Sequence, residues 1–581
     1  MKPGTVVLRD DANASWLCHE NPVHVVSAHR LDEVAPCLAR VESLGESEGL
    51  HAAGFISYEA SPAFDPAQAT REPGPLPLLW FGLYDKPRVI DLPPIDGRPS
   101  NVPADWEATV DRGEYARAIA AIKEHIGAGE TYQVNYTFRL RSPFSDDPWE
   151  MFAHLMACQR TIHAAYVDTG RHVVCSASPE LFLELAGDTL RSRPMKGTAA
   201  RGRTLAEDTA HADWLHHSEK NRAENVMIVD MIRNDMGRVA DAGTVHVPSL
   251  FDVERYPTVW QMTSLVEART KRSATDILTA LFPCASITGA PKCRTMEIIA
   301  ELETTPRGVY CGAVGHISPG RRMRFNVAIR TVCVDRERRS AEYGVGGGVL
   351  WYSETADEFE ECKTKARVLR ERRPEFSLLE TLLWRPEEGF FLEGYHLDRL
   401  LESAEYFQTP ITRDAVRDVL ERAAAGLPAL PHRIRLLVDR DGRATTEAYR
   451  LGSMPNPVRL VLAREPVDSR NPFLYHKTTN RGVYDSPRAS AKEADDVLLY
   501  NERGEITETT IANVVARLDG RLVTPPVSCG LLAGTFRRWL LDRGEVEEAV
   551  IRTDDLARAT ELFVVNSVRG MLAAMLDTTR G

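Results

Sequence analysis

The ten cysteines of this chain stand singly, with no C-x-x-C pair among them. That spacing suggests neither a thiolate zinc site nor a disulfide framework, so reduced and mostly buried thiols are expected. No apolar run approaches the roughly 20 residues needed to cross a bilayer, and Met1 to Asp10 has neither the basic nor the apolar stretch of a secretory signal. The expectation is a cytoplasmic protein with no membrane partner. Basic residues are in deficit, 71 Lys and Arg against 83 Asp and Glu, for a net charge of -12. A nucleic-acid partner is excluded, because such affinity comes from clustered cations that neutralise phosphates. Internal repeats and low-complexity tracts are also missing.

What is present is a soluble globular balance, 43% hydrophobic and 27% charged, over 581 residues. A single hydrophobic core stops growing near roughly 250 to 300 residues, so two or more domains are required. The clearest seam is the charged run Arg370-Glu371-Arg372-Arg373-Pro374-Glu375, which divides the chain into 1–370 and 371–581. Upstream, strand-like runs at His172 to Cys175, Phe325 to Val334 and Glu342 to Leu350 alternate with helical patterns at Tyr115 to Gly127 and Asn221 to Asp235. Downstream, a helical stretch from His396 to Phe407 precedes strands at Arg433 to Asp439, Val458 to Ala463, Asp496 to Tyr500 and Val514 to Leu518. Both parts read as α+β.

Two helical segments each carry a short row of oxygens at a spacing of three, Asn221 with Glu224 and Glu358 with Glu361. Such rows suit Mg²⁺, a hard cation that takes carboxylates and water and bridges to substrate anions. Spacing alone favours a solvated helix face, with Glu361 and Lys365 as an ordinary i,i+4 pair. The Gly-rich run 344–348 is by itself no more than a weak signal, compatible with a strand bulge.

The surrounding text favours the first reading. Gly129 to Asn135, Ser178-Pro179-Glu180, Pro194-Met195-Lys196-Gly197-Thr198 and Arg222 to Gly237 are followed by Thr288 to Lys292, Arg307 to Gly312, Ala328 to Thr331 and Glu358 to Ala366. In this order they resemble the chorismate-utilising family of anthranilate, isochorismate, salicylate and aminodeoxychorismate synthases. The resemblance implies an α/β sandwich that binds chorismate, with Mg²⁺ held near Glu224 and Glu361 and with Glu358 and Asn221 acting through water. It implies a substrate cradle of Arg330, Tyr310, Lys365, Gly197, Thr198 and the backbone from Gly346 to Gly348. Arg330 would fork to one substrate carboxylate, a task suited to a planar guanidinium.

Within that family Lys196 selects the aminodeoxychorismate branch, where a lysine nucleophile adds to the ring while Glu180 protonates the departing hydroxyl. A free lysine titrates near 10.4, so Lys196 needs desolvation or a neighbouring cation. Gln133 stands where isochorismate and salicylate synthases use a lysine, and Gln261 stands where anthranilate synthases use a histidine. The implied product is 4-amino-4-deoxychorismate. No G-x-C-x-G elbow is present to mark a glutaminase, so ammonia would come from a separate glutamine amidotransferase subunit or from solution.

After the seam, His396 to Leu400, Tyr475-His476-Lys477, Gly504 to Asn513, Leu531 to Arg537 and Asn566 to Gly570 are similar to the class IV aminotransferase fold. That resemblance implies a smaller α+β domain using pyridoxal phosphate, with Lys477 carrying the cofactor and Glu508 facing its pyridine nitrogen. Arg399 and the backbone around Thr535 would hold the phosphate at a helix N-terminus. Aminodeoxychorismate lyase shares this fold, which makes the expected protein a bifunctional 4-aminobenzoate enzyme. Relatives open with an extra β-hairpin, whereas this chain enters at Phe376 to Thr381. The competing expectations are an anthranilate synthase component I with an appended aminotransferase domain, and a regulatory amino-acid-binding subunit without chemistry.

Overall fold

A computed structural model describes the chain except for residues 11–14, 92–101, 104, 160, 371–373, 492 and 578–581. Glu371, Arg372 and Arg373 of the charged seam therefore lie outside the described residues. The chain forms two compact units, one made of Met1–Ala200 and Asp213–Arg373, the other of Arg201–Ala212 and Pro374–Gly581. Among the described residues no helix is long and apolar enough to cross a membrane.

The first unit is built on two sheets, each of ten strands among the described residues. Between them lies a core in which Val6, Leu8, Val167 and Val174 of one sheet meet Phe55, Trp80, Tyr84 and Val314 of the other. Helices cover the outer faces, Leu31–Glu48 and Ala274–Leu281 on one side and Arg112–Gly127 and Pro148–Cys158 on the other. With both faces of each sheet covered, inner strands such as His172–Ser178 and Leu79–Tyr84 are buried at every position. Their sequences accordingly do not alternate between apolar and exposed polar residues: Leu79–Tyr84 is apolar throughout, and the polar residues of the other strand, His172, Ser176 and Ser178, are themselves buried.

The chain crosses between the sheets at two points that matter for the site. Strand His172–Ser178 of one sheet passes through Pro179 and Glu180 into Leu181–Ala186 of the other. Arg322–Val327 crosses back through Ala328, Ile329 and Arg330 to Thr331–Asp335. The continuous strand expected over Phe325 to Val334 is thus two strands in different sheets. The apolar pattern runs on because both strands are buried, while the turn is made by Arg330 at a left-handed φ of 53°. Holding a non-glycine residue there costs about 1 kcal/mol or more.

The second unit contains a four-stranded sheet led by Leu378–Arg385 and His432–Val438, packed on helices Glu393–Phe407 and Arg413–Ala425. It also contains an eight-stranded sheet that closes on itself where Glu508 pairs with Asn513. The closing contact is that single pair, at the end of the strand Ile506–Thr509 that carries Glu508.

Candidate functional site

In the first unit, Lys196 sits on the edge strand Met195–Ala200, followed by Gly197 at φ 100°. The strand is braced from both sides. Asn225 donates to the Lys196 carbonyl at 3.2 Å and accepts from Ser264 at 2.6 Å, while Gln261 donates to the Gly197 carbonyl and accepts from Thr198. Gln261, noted in the sequence as a departure from anthranilate synthases, is a strut of the lysine turn. Asn221 packs against Gly197 and donates to Ser218, which caps its helix.

The Lys196 amine meets strand Ser340–Val349 of the opposite sheet. A Cβ at Gly348 would fall 2.5 Å from Lys196 Nζ and 2.4 Å from Gln133 Nε2, so glycine leaves the room both groups occupy. Gly344 does the same for the ring of Tyr310, 2.2 Å from its virtual Cβ. The run is regular strand and not a bulge: it pairs residue for residue with Gln133–Pro143. On its other edge the neighbouring strand stops pairing at Tyr343, which leaves alternate amides between 344 and 349 without a strand partner on that side. Those are the backbone groups expected of a carboxylate cradle.

Around this point the carboxylates and cations converge. Lys365 donates to the Gly346 carbonyl at 2.8 Å and pairs with Glu361 at 2.7 Å. Arg330 donates to the Lys365 carbonyl, and Glu224 accepts from Tyr352. Glu358 lies 3.1 Å from the virtual Cβ of Gly347. Burial pushes the Lys196 amine below its ordinary range, with Glu224 opposing and Lys365 reinforcing the shift. Burial likewise raises Glu358, and it would raise Glu361 were it not outweighed by Lys365 and Lys196. Glu180 is buried with one carboxyl oxygen unpartnered. Desolvation carries its carboxyl up to about 7, against the pull of Ser286, the Met195 amide and Lys196.

Gln133 is the residue whose place the sequence reading undervalued. It is fully buried, yet neither its amide oxygen nor its nitrogen has a hydrogen-bond partner, a cost of about 1 to 3 kcal/mol per group unless a ligand satisfies it. Tyr352, against Glu224 and beneath Lys220, carried no sequence signal.

The second unit has a cavity of about 440 Å³ lined by Lys477, Arg399, Glu508 and Thr535, all four of which were expected there. Burial and the nearby Arg399 bring Lys477 down to about 8. Burial raises Glu508 to about 7, and its carboxyl is held by Tyr484 Oη at 2.8 Å, the Leu532 amide at 3.0 Å and Asn513 Nδ2 at 3.2 Å. Thr535 opens helix Thr535–Asp542 after Gly534, where a Cβ would strike Asn513 Oδ1 at 1.8 Å.

Arg399 does more than line the cavity. Its Nε and Nη2 fork to both oxygens of the buried Glu380 and its Nη1 donates to the Ala533 carbonyl. Burial alone would raise Glu380, but Arg399 and His396 outweigh it and hold the carboxyl well below its usual range. Neutral His396 donates from Nδ1 to Glu380, and its Nε2 accepts from Ser567. Glu380 was legible only as a charged residue inside an apolar strand. Arg433, Arg435 and Arg481, also on the cavity wall, stand in positions with no local pattern, whereas Arg569 falls within the Asn566 to Gly570 segment noted in the sequence.

A sandwich that brings together a buried amine, a protonatable carboxyl and carboxylates from two helices has the make-up of an enzyme active site. The chain belongs to the chorismate binding enzyme family, whose pattern matches residues 5–371, and its residues 377–574 match amino-transferase class IV. It is 43% identical over 262 residues to the aminodeoxychorismate synthase of Streptomyces griseus, covering 45% of this chain and 36% of that protein. It is 35% identical over 346 residues to aminodeoxychorismate synthase component 1 of Salmonella typhimurium, covering 55% and 76%. For the Escherichia coli component 1, at 38% identity, the shares are 46% and 59%, so the chain spans under two thirds of some of these relatives. The crystal structure of anthranilate synthase component I from Streptococcus pneumoniae shares the fold, with a TM-score of 0.52 at 24% identity over 64% of this chain and 93% of that one.

Proposed function

We propose that the first unit converts chorismate and ammonia to 4-amino-4-deoxychorismate, and that the second eliminates pyruvate from that product to give 4-aminobenzoate. The observation that carries the reading is the meeting of the Lys196 amine with the unpartnered Gln133 amide above Gly348, with Glu180 acting on Lys196 from its buried position. The neutral Lys196 amine would add at ring C2 as the C4 hydroxyl leaves with the Glu180 proton as water. Ammonia would then bond to C4 as the C2–N bond to Lys196 breaks. A glutamine at 133 cannot act as a base, and burial of the Lys196 amine lowers its hold on a proton.

Among the described residues no three His, Cys, Asp or Glu side chains converge closely enough to hold a metal unaided. Glu224 and Glu361 supply hard oxygen donors, a set that fits Mg²⁺ completed by water and a substrate carboxylate. Glu358 would act through water, and the bound ion would neutralise charge on the substrate. Glu361→Gln is expected to lower amination at least about 100-fold and raise the Mg²⁺ concentration at half-maximal rate. Unchanged activity and Mg²⁺ dependence would put the metal elsewhere.

The residues of the second cavity fit pyridoxal phosphate: a buried amine near neutrality, a carboxyl held by three donors, and a helix N-terminus beside Arg399. The bound cofactor would supply an electron sink. Lys477 would move the proton at C4 of the substrate, while Arg433, Arg435, Arg481 and Arg569 offer partners for its two carboxylates. Purified protein incubated with pyridoxal phosphate is expected to gain a visible band and, after borohydride, a label on Lys477 found by peptide mapping. A label elsewhere would remove this site from the account.

The amidotransferase partner and a cytoplasmic location belong to the same reading. Mass spectrometry of the products from chorismate, Mg²⁺ and ammonium tests it as a whole. A para-amino product supports it, an ortho-amino product indicates anthranilate synthesis, and no turnover indicates a regulatory subunit.

A further inference from the structure

The stretch Arg201–Ala212 follows the strand of Lys196 in sequence, yet by compactness it is part of the second unit. It is a closed turn. Arg201 forks to both oxygens of Asp208 at 2.7 and 2.8 Å, and the Gly202 amide donates to the same carboxylate at 2.9 Å. A Cβ at Gly202 would lie 2.1 Å from the Asp208 backbone nitrogen, so the turn admits glycine alone.

Two consecutive carbonyls of this turn accept hydrogen bonds within the unit. Tyr406 Oη donates to Gly202 at 2.8 Å, and His476 Nε2 donates to Arg203 at 3.1 Å. The two donor rings stack on each other at 4.2 Å and 29°, both buried. Side chains of the turn add to the grip: Arg201 lies 4.6 Å over the Tyr406 ring, and Arg203 donates to the Tyr475 hydroxyl at 3.0 Å.

His476 is fixed from both ends, because Nδ1 accepts from Ser403 at 3.0 Å while Nε2 donates to Arg203. Burial brings it down to about 4, so this neutral tautomer persists across the working pH range. The next residue is Lys477, whose carbonyl accepts from the Leu379 amide at 2.9 Å. The backbone around the lysine is therefore clamped by strand Leu378–Arg385 on one side and, through His476, by the Arg203 carbonyl on the other.

We propose that the turn Arg201–Asp208 is the positioning element of the cofactor lysine: its Gly202 and Arg203 carbonyls hold Tyr406 and His476, and His476 in turn sets the direction in which Lys477 enters the cavity. The inference rests on reading Lys477 as the pyridoxal phosphate lysine. Binding of the cofactor then depends on a residue far upstream in the chain, inside the stretch that matches the chorismate binding family. His476 is a positioning residue, since it acts through Lys477.

The test uses the full chain and pyridoxal phosphate titrated by its visible absorbance. His476→Ala is expected to weaken binding about tenfold or more, the scale on which small misplacements act. The same variant should shift the pH midpoint of the bound cofactor's band, which a merely structural loss would leave in place. His476→Gln, whose amide can donate to the Arg203 carbonyl, should recover affinity to within about threefold. Tyr406→Phe, which removes a single oxygen and keeps the stack, should weaken binding a few-fold. Gly202→Val should match His476→Ala, with the double variant no weaker than either single one.

Unchanged affinity in His476→Ala and Tyr406→Phe would overturn the proposal, as would Gly202→Val and His476→Ala effects that simply multiply in the double variant. Failure of the underlying reading looks different: borohydride would then leave Lys477 unlabelled in the unaltered chain. A labelled Lys477 with equal affinity in every variant would reject the turn and keep the cofactor.

Discussion

Lys196→Ala is expected to make no amino product from chorismate, Mg²⁺ and ammonium, whereas Lys477→Ala should accumulate 4-amino-4-deoxychorismate. The loss in the first variant should be on the order of 10⁴ or more, the scale of removing a covalent nucleophile. Substrate binding should survive, because Arg330, Lys365 and the strand Ser340–Val349 are untouched. Neither variant alone yields 4-aminobenzoate. Mixed together they should restore it, since the intermediate is a small soluble acid that diffuses from one chain to another. Liquid chromatography with mass detection reads all three species in one reaction. An ortho-amino product from the Lys477 variant would sink the branch assignment. If the intermediate accumulated and mixing restored nothing, the second unit would not be a lyase.

Glu180→Gln should lower amination about 10² to 10⁴-fold, the contribution of a positioned general acid. The pH dependence follows from the direction of its shift. Burial raises the folded carboxyl from 4.5 to about 7, so the proton it donates is present below about 7 and lost above. The rate per unit of free ammonia should fall as pH rises through 7, and the variant should lack that limb. Stability moves in the same sense. A raised carboxyl contributes fully below 4.5, and that contribution is lost as pH rises through about 7. The variant avoids that loss and should melt no lower than the unaltered protein at pH 8. A variant retaining the same alkaline limb would assign the proton to another group.

Legibility in the sequence was uneven for physical reasons. Lys196, Glu180, Lys477 and Glu508 were visible because the short motifs that carry them resemble two known families. Local conformation supports two of them, Gly197 at positive φ beside Lys196 and the sheet crossing at Pro179 beside Glu180. Gln133 appeared only as the absence of a lysine, because an orphaned amide is defined by what surrounds it across two sheets. The strand expected over Phe325 to Val334 hid a crossing, since burial on both faces erases the period that marks a strand's end.

By itself the sequence determined the composition class, the two-part organisation, the order of motifs and the residue types available for chemistry, because these depend on spacing and local conformation. Only the tertiary structure decided which of those residues meet. It joined Lys196 to Gln133 across Gly348, gave Arg399 to Glu380, and folded Arg201–Ala212 into the unit that holds Lys477. Such pairings are set by sheet registers and by the desolvation of groups far apart in the chain, and no local stretch of residues encodes either.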